Sequence, residues 1–195
     1  MKIFNSLKKV VAELEKESIN WAIAGGVAAC IYRAEPRFTG DIDIVLSDIP
    51  EANSKKIAHA VLERLGYKPI VGFIVRKNKS KLDQPSLIAA REDRQESFVG
   101  IDLILPVLPW VEPAIERAQL NKIDFGFGVF PTITPEDLII AKLFAISDDP
   151  SRPYDRDDII SICRNNSKLD AAYIKSQIVI YRLDVPGDLK SLLSV

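Results

Sequence analysis

Along the first stretch of the chain the apolar residues Ile3, Leu7, Val10, Val11 and Leu14 recur three and four positions apart, with lysines and glutamates between them. That spacing predicts an amphipathic helix over 3–17, laid as a lid on the core. A short apolar run follows, Trp21-Ala22-Ile23-Ala24, closed by Gly25-Gly26 and continued by Val27 to Tyr32, which reads as strand, glycine turn and short helix. A loop over 34–40, with Pro36 and Gly40, leads to Ile42, Ile44, Val45 and Leu46, a second strand that opens on Asp41 and Asp43. Pro50 is then expected to open a helix of about fifteen residues, with Ile57, Val61, Leu62 and Leu65 inward and Gly66 as its stop.

Between 67 and 105 the period shortens. Residues 67–75, 86–91 and 98–105 predict three strands of an antiparallel meander. A helix over 110–120 and a glycine-punctuated extended stretch over 125–133 come next. Thr134-Pro135-Glu136-Asp137 then has the form of a helix start, with Thr134 as cap, Pro135 in the first turn and two acids at the positive end of the helix dipole. Helices over 135–147, 155–165, 170–181 and 188–194 complete the pattern. The shift from mixed strands to helices near residue 134 divides the chain into a core, 1–133, and a helical C-terminal part, 134–195, packed on it.

Composition narrows the chemistry. At 195 residues, 47% of them hydrophobic, the chain is long enough for one domain with a substantial core. Its 26 Lys and Arg against 27 Asp and Glu exclude a chain-wide basic surface, so any site for a polyanion is local. A single histidine, His59, and two cysteines, Cys30 and Cys163, 133 positions apart, offer no Cys/His zinc site and no Ser-His-Asp triad. The sequence shows no leader pattern and no apolar run approaching the ~18 residues of a membrane span, which leads to the expectation of a reduced, cytoplasmic protein with no membrane partner. Carboxylates remain as the reactive groups.

Asp41 and Asp43 alternate with apolar residues on one strand, so both project from the same face about 6 to 7 Å apart. Two like charges side by side call for a cation, and hard oxygen donors favour Mg²⁺ or Mn²⁺; the competing reading is a solvated strand end. Gly25-Gly26, between a strand and a helix, suits a phosphate, or is only a tight turn. Asp102, within Gly100-Ile101-Asp102-Leu103-Ile104-Leu105, is an acid in an apolar strand and needs a partner. Lys142 has apolar neighbours at Leu138, Ile139, Ala145 and Ile146, so it points inward and must meet an anion: Asp157 or Asp158 on the next helix, or a nucleotide phosphate. Arg33 and Arg37 are further phosphate candidates. Arg76 to Lys81, with four cations in six residues, reads as a solvated hairpin tip or as a contact for RNA. His59, with Glu63 four residues on, reads as a surface residue.

Taken together, Ala24-Gly25-Gly26, Asp41-Ile42-Asp43 and Ile101-Asp102-Leu103 resemble the signature of the nucleotidyltransferase fold of the polymerase-beta superfamily. Within it, Arg37-Phe38-Thr39-Gly40-Asp41-Ile42-Asp43, with Pro135-Glu136-Asp137-Leu138-Ile139 and Lys142 before Arg156-Asp157-Asp158-Ile159, is similar to the AbiEii-type nucleotidyltransferase toxins. The resemblance spans roughly residues 20 to 165. It implies an α+β fold, a mixed β-sheet flanked by helices with a helical C-terminal part. It also implies an enzyme that moves a nucleoside monophosphate from an NTP to a hydroxyl. Asp41, Asp43 and Asp102 would be the catalytic, metal-holding residues for Mg²⁺ or Mn²⁺, and Gly25, Gly26, Arg37 and Lys142 would bind the nucleotide. Asp124, also between hydrophobic residues, competes for the third position; Asp102 is preferred because its strand follows the meander and precedes a helix. The acceptor implied is RNA, tRNA or protein, with an antitoxin as partner, as in toxin-antitoxin systems. The alternatives are a catalytically idle nucleotide- or partner-binding module, and a small-molecule nucleotidyltransferase of the aminoglycoside kind, which needs an acidic acceptor pocket.

Overall fold

The computed structural model describes residues 2–48, 53–72, 86–91 and 99–193. Helix α1 (Lys2–Leu14) buries Leu7, Val10, Val11 and Leu14. It ends three residues before the expected stop, where i→i−3 bonds from the Lys16 and Glu17 amides tighten the last turn. Strand β1 (Trp21–Ala24) runs directly into α2 (Gly25–Tyr32), and β2 (Asp41–Leu46) follows the loop.

Helix α3 (Ser54–Arg64) starts later than the proline pattern suggests, because the side chain of Asn53 caps it, accepting from the Lys56 amide at 3.1 Å. Gly66, at φ +84°, ends it as expected. Pro50 and the basic stretch Arg76 to Lys81 lie outside the described residues.

The meander is present as β3 (Ile70–Gly72), β4 (Leu87–Ala90) and β5 (Gly100–Ile104), each antiparallel to the next. Strand β5 also lies parallel to β2, and β2 antiparallel to β1, giving a mixed five-stranded sheet in the order β1-β2-β5-β4-β3. After α4 (Val111–Ala118), the stretch read as a single extended run is instead a hairpin of β6 (Lys122–Asp124) and β7 (Val129–Pro131). Its turn needs Gly126, at φ +79°, whose amide donates to Asp124 Oδ1 at 2.7 Å.

The C-terminal helices are α5 (Pro135–Asp148), α6 (Pro153–Asn165), α7 (Ala171–Tyr181) and α8 (Gly187–Leu193). Thr134 caps α5, accepting from the Asp137 amide at 3.2 Å. The two first-turn acids meet the dipole and a side chain as well, since Arg117 Nε donates to Asp137 at 2.9 Å and its Nη2 lies 3.5 Å from Glu136.

Strand alternation settles where the core and the cleft sit. Ile42, Ile44 and Leu46, with Ile101 and Leu103, turn to the face covered by α1 and α3. Val45 and Ile104 turn to the opposite face, towards α2, α4 and the C-terminal helices. Asp41, Asp43 and Asp102 share the parity of Val45 and Ile104, so all three acids open on the side of the helical part. Among the described residues no helix is long and apolar enough to cross a membrane.

Candidate active site

The register of β2 on β5 sets Asp43 directly opposite Asp102 and Asp41 opposite Gly100. A cavity of about 980 Å³ lies over them, lined also by Gly25, Gly26 and Lys142. Asp124 ends β6 and does not line this cavity, which leaves Asp102 as the acid beside the pair.

The glycine turn is packed against Asp43. Gly25 has φ +56°, and a Cβ there would lie 1.9 Å from Asp43 Oδ2 and 2.6 Å from its Cβ. Gly26 donates its amide to Asp43 Oδ2 at 3.4 Å, and a Cβ on it would meet Thr39 Oγ1 at 2.3 Å. The two glycines therefore let the start of α2 approach the acid, with the Gly26 N–H directed at its carboxylate. Gly25→Ala combines left-handed strain with overlap on Asp43. It should cost about 1–3 kcal/mol in urea unfolding and remove metal-dependent nucleotide binding; unchanged stability and binding would show that the turn tolerates a side chain.

Burial pushes the Asp43 carboxyl up to about 6, with the negative charges of Asp102 and Asp41 adding to it. The charge of Lys142 and the Gly26 amide oppose this without cancelling it.

Asp102 meets Arg91, which sequence reasoning missed: only the pairing of β4 with β5 brings residue 91 to this edge of the cluster. Nη2 of Arg91 donates to Oδ2 at 2.7 Å and lies 2.6 Å from Oδ1. Oδ1 itself is buried and accepts no hydrogen bond of good geometry. Burial would lower the Arg91 guanidinium, yet the hydrogen bond and charge of Asp102, with the charges of Asp41 and Asp43, raise it. Gly100 leaves the room this needs, since a Cβ there would lie 2.1 Å from Asp41 Oδ1 and 3.2 Å from Arg91 Nη1.

A second cluster closes the other wall. Lys142 is buried on α5, and its Nζ lies 2.8 Å from Asp155 Oδ1 and 2.7 Å from Asp158 Oδ2. Asp158, fully buried on α6, also holds Arg33 Nη1 at 2.7 Å and takes two bonds from Arg37, Nε at 2.8 Å and Nη2 at 2.7 Å. Burial alone would raise the Asp158 carboxyl, but the bonds from Arg37 and the charge of Lys142 bring it down to about 2. Asp157 is not a partner of Lys142; it lies outside this knot and pairs with Arg33 at 2.8 Å. Asp155 takes the place expected for it, and its spacing from Asp158 on one helix was the available signal. The three cations read from sequence as phosphate ligands, Arg33, Arg37 and Lys142, are thus all paired with acids of α6. His59 lies 3.8 Å from Glu63 and lines no part of the cleft.

The donor set fits a hard divalent ion: three carboxylates on one sheet face, one of them pushed up by burial and by the charge of the others, and a buried carboxylate oxygen with no hydrogen bond. As placed, the acids do not converge, for among the described residues no group of three His, Cys, Asp or Glu side chains stands in metal-holding geometry.

The sequence model of the nucleotidyl transferase AbiEii toxin family, of type IV toxin-antitoxin systems, matches residues 10–178. The chain belongs to the AbiEii nucleotidyltransferase toxin family. Every site residue described above lies inside that match, from Gly25 to Asp158. The fold is that of nucleotidyltransferases. It is similar to the crystal structure of ANT(2'')-Ia in complex with adenylyl-2''-tobramycin, at TM-score 0.60 and 15% identity, over 93% of this chain and 98% of that one. The solution structure of the antibiotic-resistance factor ANT(2'')-Ia gives TM-score 0.55 and 17% identity over 90% and 89%. An antigenic nucleotidyltransferase-like protein from Paracoccidioides brasiliensis gives TM-score 0.53 and 18% identity over 99% and 91%. No curated protein sequence matches the chain.

Proposed function

We propose that this AbiEii-family chain transfers a nucleoside monophosphate from an NTP to a hydroxyl in a reaction that depends on Mg²⁺ or Mn²⁺. The observation that carries the reading is the register that sets Asp43 beside Asp102, with the Gly25-Gly26 turn packed on Asp43. Asp41, Asp43 and Asp102 would hold the ions. The chemistry a divalent ion supplies when bound is neutralisation of the triphosphate and acidification of an acceptor hydroxyl.

The chain's own groups do the rest. The start of α2 at the Gly25-Gly26 turn offers backbone donors to the phosphates, and Lys142, held by Asp155 and Asp158, lines the far wall of the cleft. Asp102, once its contact with Arg91 is released, receives the acceptor's proton. The acceptor oxygen bonds to the α-phosphorus as the bond to the bridging oxygen of pyrophosphate breaks. In a toxin family the acceptor is RNA, tRNA or a protein, and the chain's activity would be held in check by an antitoxin partner in the cytoplasm.

A cationic small-molecule acceptor is the second reading, favoured by one feature: beyond the three acids, the cleft is lined by Asp148 and Asp149. ANT(2'')-Ia, which shares the fold, is seen in complex with adenylyl-2''-tobramycin, an adenylylated small molecule. Incubation with each labelled NTP, Mg²⁺ or Mn²⁺, and total RNA or cell extract separates the readings by what becomes labelled. Labelled RNA or protein supports the first, a labelled basic metabolite the second, and no labelled product under any condition contradicts both.

If RNA is the acceptor, the basic stretch Arg76 to Lys81 is the contact that the sequence offers it. RNA binding should then fall with salt at a log–log slope of about −2 to −4. Changing Lys77, Lys79 and Lys81 together to Ser should flatten that slope and weaken RNA labelling while NTP affinity stays the same. Wild-type labelling by the triple variant would remove this stretch from the account.

A further inference from the structure

The three carboxylates of the cleft are not left without a cation. Among the described residues Arg91 is the one Lys or Arg that forms an ion pair with Asp41, Asp43 or Asp102. It is held in place as well as attracted: Nη1 donates to the carbonyls of Ala90 at 3.0 Å and Ile101 at 3.4 Å, spanning the edge of β4 and β5, while Nη2 meets both oxygens of Asp102. Nη2 hydrogen-bonds Oδ2 and lies 2.6 Å from Oδ1, so its charge sits where an ion taken by Asp102 would have to sit and competes with it.

We propose that Arg91 is a built-in counter-cation of the site. It holds Asp102 in the metal-free chain, lets go when Asp102 takes a divalent ion, and so lowers the affinity of the site for that ion. This rests on Asp102 being a metal ligand. Part of the ion's binding energy is spent on breaking the Arg91–Asp102 pair, so the ion alone is a weak ligand. A released guanidinium beside the cleft has a second anion to turn to once a triphosphate is bound. Arg91 acts through Asp102 and is a positioning residue.

The test is Mn²⁺ titration by calorimetry, without nucleotide, of the wild type, Arg91→Gln, Asp102→Asn and the double variant. Arg91 is 42% exposed, so solvent screens the pair and its loss should tighten Mn²⁺ binding by roughly two- to fivefold. In EDTA, Arg91→Gln should melt below the wild type, because the acids lose their cation, and Mn²⁺ should narrow the gap. Asp102→Asn should weaken Mn²⁺ binding, and adding Arg91→Gln to it should change nothing further. Weaker binding by Asp102→Asn with equal or weaker binding by Arg91→Gln would overturn the proposal and leave the metal site standing. Unchanged binding by Asp102→Asn would overturn the metal site and the proposal with it. Should Arg91→Gln fail to fold, Arg91→Lys keeps the charge but replaces the planar fork with a single ammonium. It should still bind Mn²⁺ more tightly than the wild type, and equal or weaker binding is the contrary result.

Discussion

Asp43→Asn should abolish nucleotidyl transfer and, in the absence of metal, make the chain more stable. The two effects have one cause. Asp43 is crowded by Asp41 and Asp102 and desolvated by the glycine turn, which pushes its carboxyl up to about 6 against an ordinary value of 3.8. The sign follows from linkage: a carboxyl whose folded value is raised holds its proton longer in the folded chain than in the unfolded one. The wild type therefore loses stability as pH rises from about 4 through about 6, and above that range the full cost of the buried charge is present. Asparagine keeps the shape and can still accept from the Gly26 amide, but carries no charge. In EDTA at pH 7.5 the variant should gain about 1–3 kcal/mol in urea unfolding, allowing for the part of the carboxylate open to the cleft, and at pH 4 the gain should vanish. Transfer should fall by several orders of magnitude at every pH, since a ligand and the charge that recruits the ion are both lost. An inactive variant with no stability gain would mean that Asp43 is not strained by its neighbours. A stable variant with wild-type transfer would remove Asp43 from the chemistry.

Asp158→Ala should be the most damaging change to the fold. Its carboxylate is fully buried and joins three cations from three parts of the chain: Arg33 after α2, Arg37 in the loop before β2, and Lys142 on α5. Removing it leaves Lys142 buried with Asp155 alone and frees the loop that leads into Asp41. Loss of one member of a buried ionic cluster costs about 3–5 kcal/mol, because the remaining charges stay desolvated. The pH dependence runs opposite to that of Asp43. With its carboxyl depressed to about 2, Asp158 contributes stability that is full above the ordinary carboxylate range and is lost as pH falls from about 4 towards 2. Urea unfolding of the wild type and Asp158→Ala at pH 7 and at pH 2.5 should therefore show a large gap that shrinks in acid. A gap below 1 kcal/mol at neutral pH would make the cluster a surface feature in energetic terms.

What was legible in the sequence, and what was not, divides along the range of the interactions. Asp41 and Asp43 were readable because alternation on a single strand fixes their common face, and Gly25 because a turn between strand and helix needs a residue tolerant of positive φ. Thr134 was readable as a cap because capping acts within one turn. The start of α3 was missed because a proline pattern outweighed Asn53, which supplies the acceptor that in fact begins the helix. The hairpin of β6 and β7 was missed because its turn depends on Asp124 and Gly126 and its pairing begins before the aromatic run. Arg91 and Asp155 were out of reach for a different reason. No local pattern marks Arg91, the i,i+3 spacing of Asp155 from Asp158 does not by itself name a partner, and each acquires its role only when β4 pairs with β5 or when α6 packs on α5. The partner of a buried charge is a fact of tertiary packing: the sequence demanded an anion for Lys142, and only the fold chose Asp155 and Asp158 over Asp157.

The central claim is that the cleft binds a nucleoside triphosphate through the Gly25-Gly26 turn together with an ion held by Asp41, Asp43 and Asp102. Calorimetric titration of each NTP into the wild-type chain, once in Mg²⁺ and once in EDTA, tests it most directly. One or more NTPs should bind at least about tenfold more tightly in Mg²⁺, since neutralising several clustered charges is worth more than about 1.4 kcal/mol. Equal affinity in the two buffers would contradict it and leave a chain that binds nucleotides without the means to transfer them.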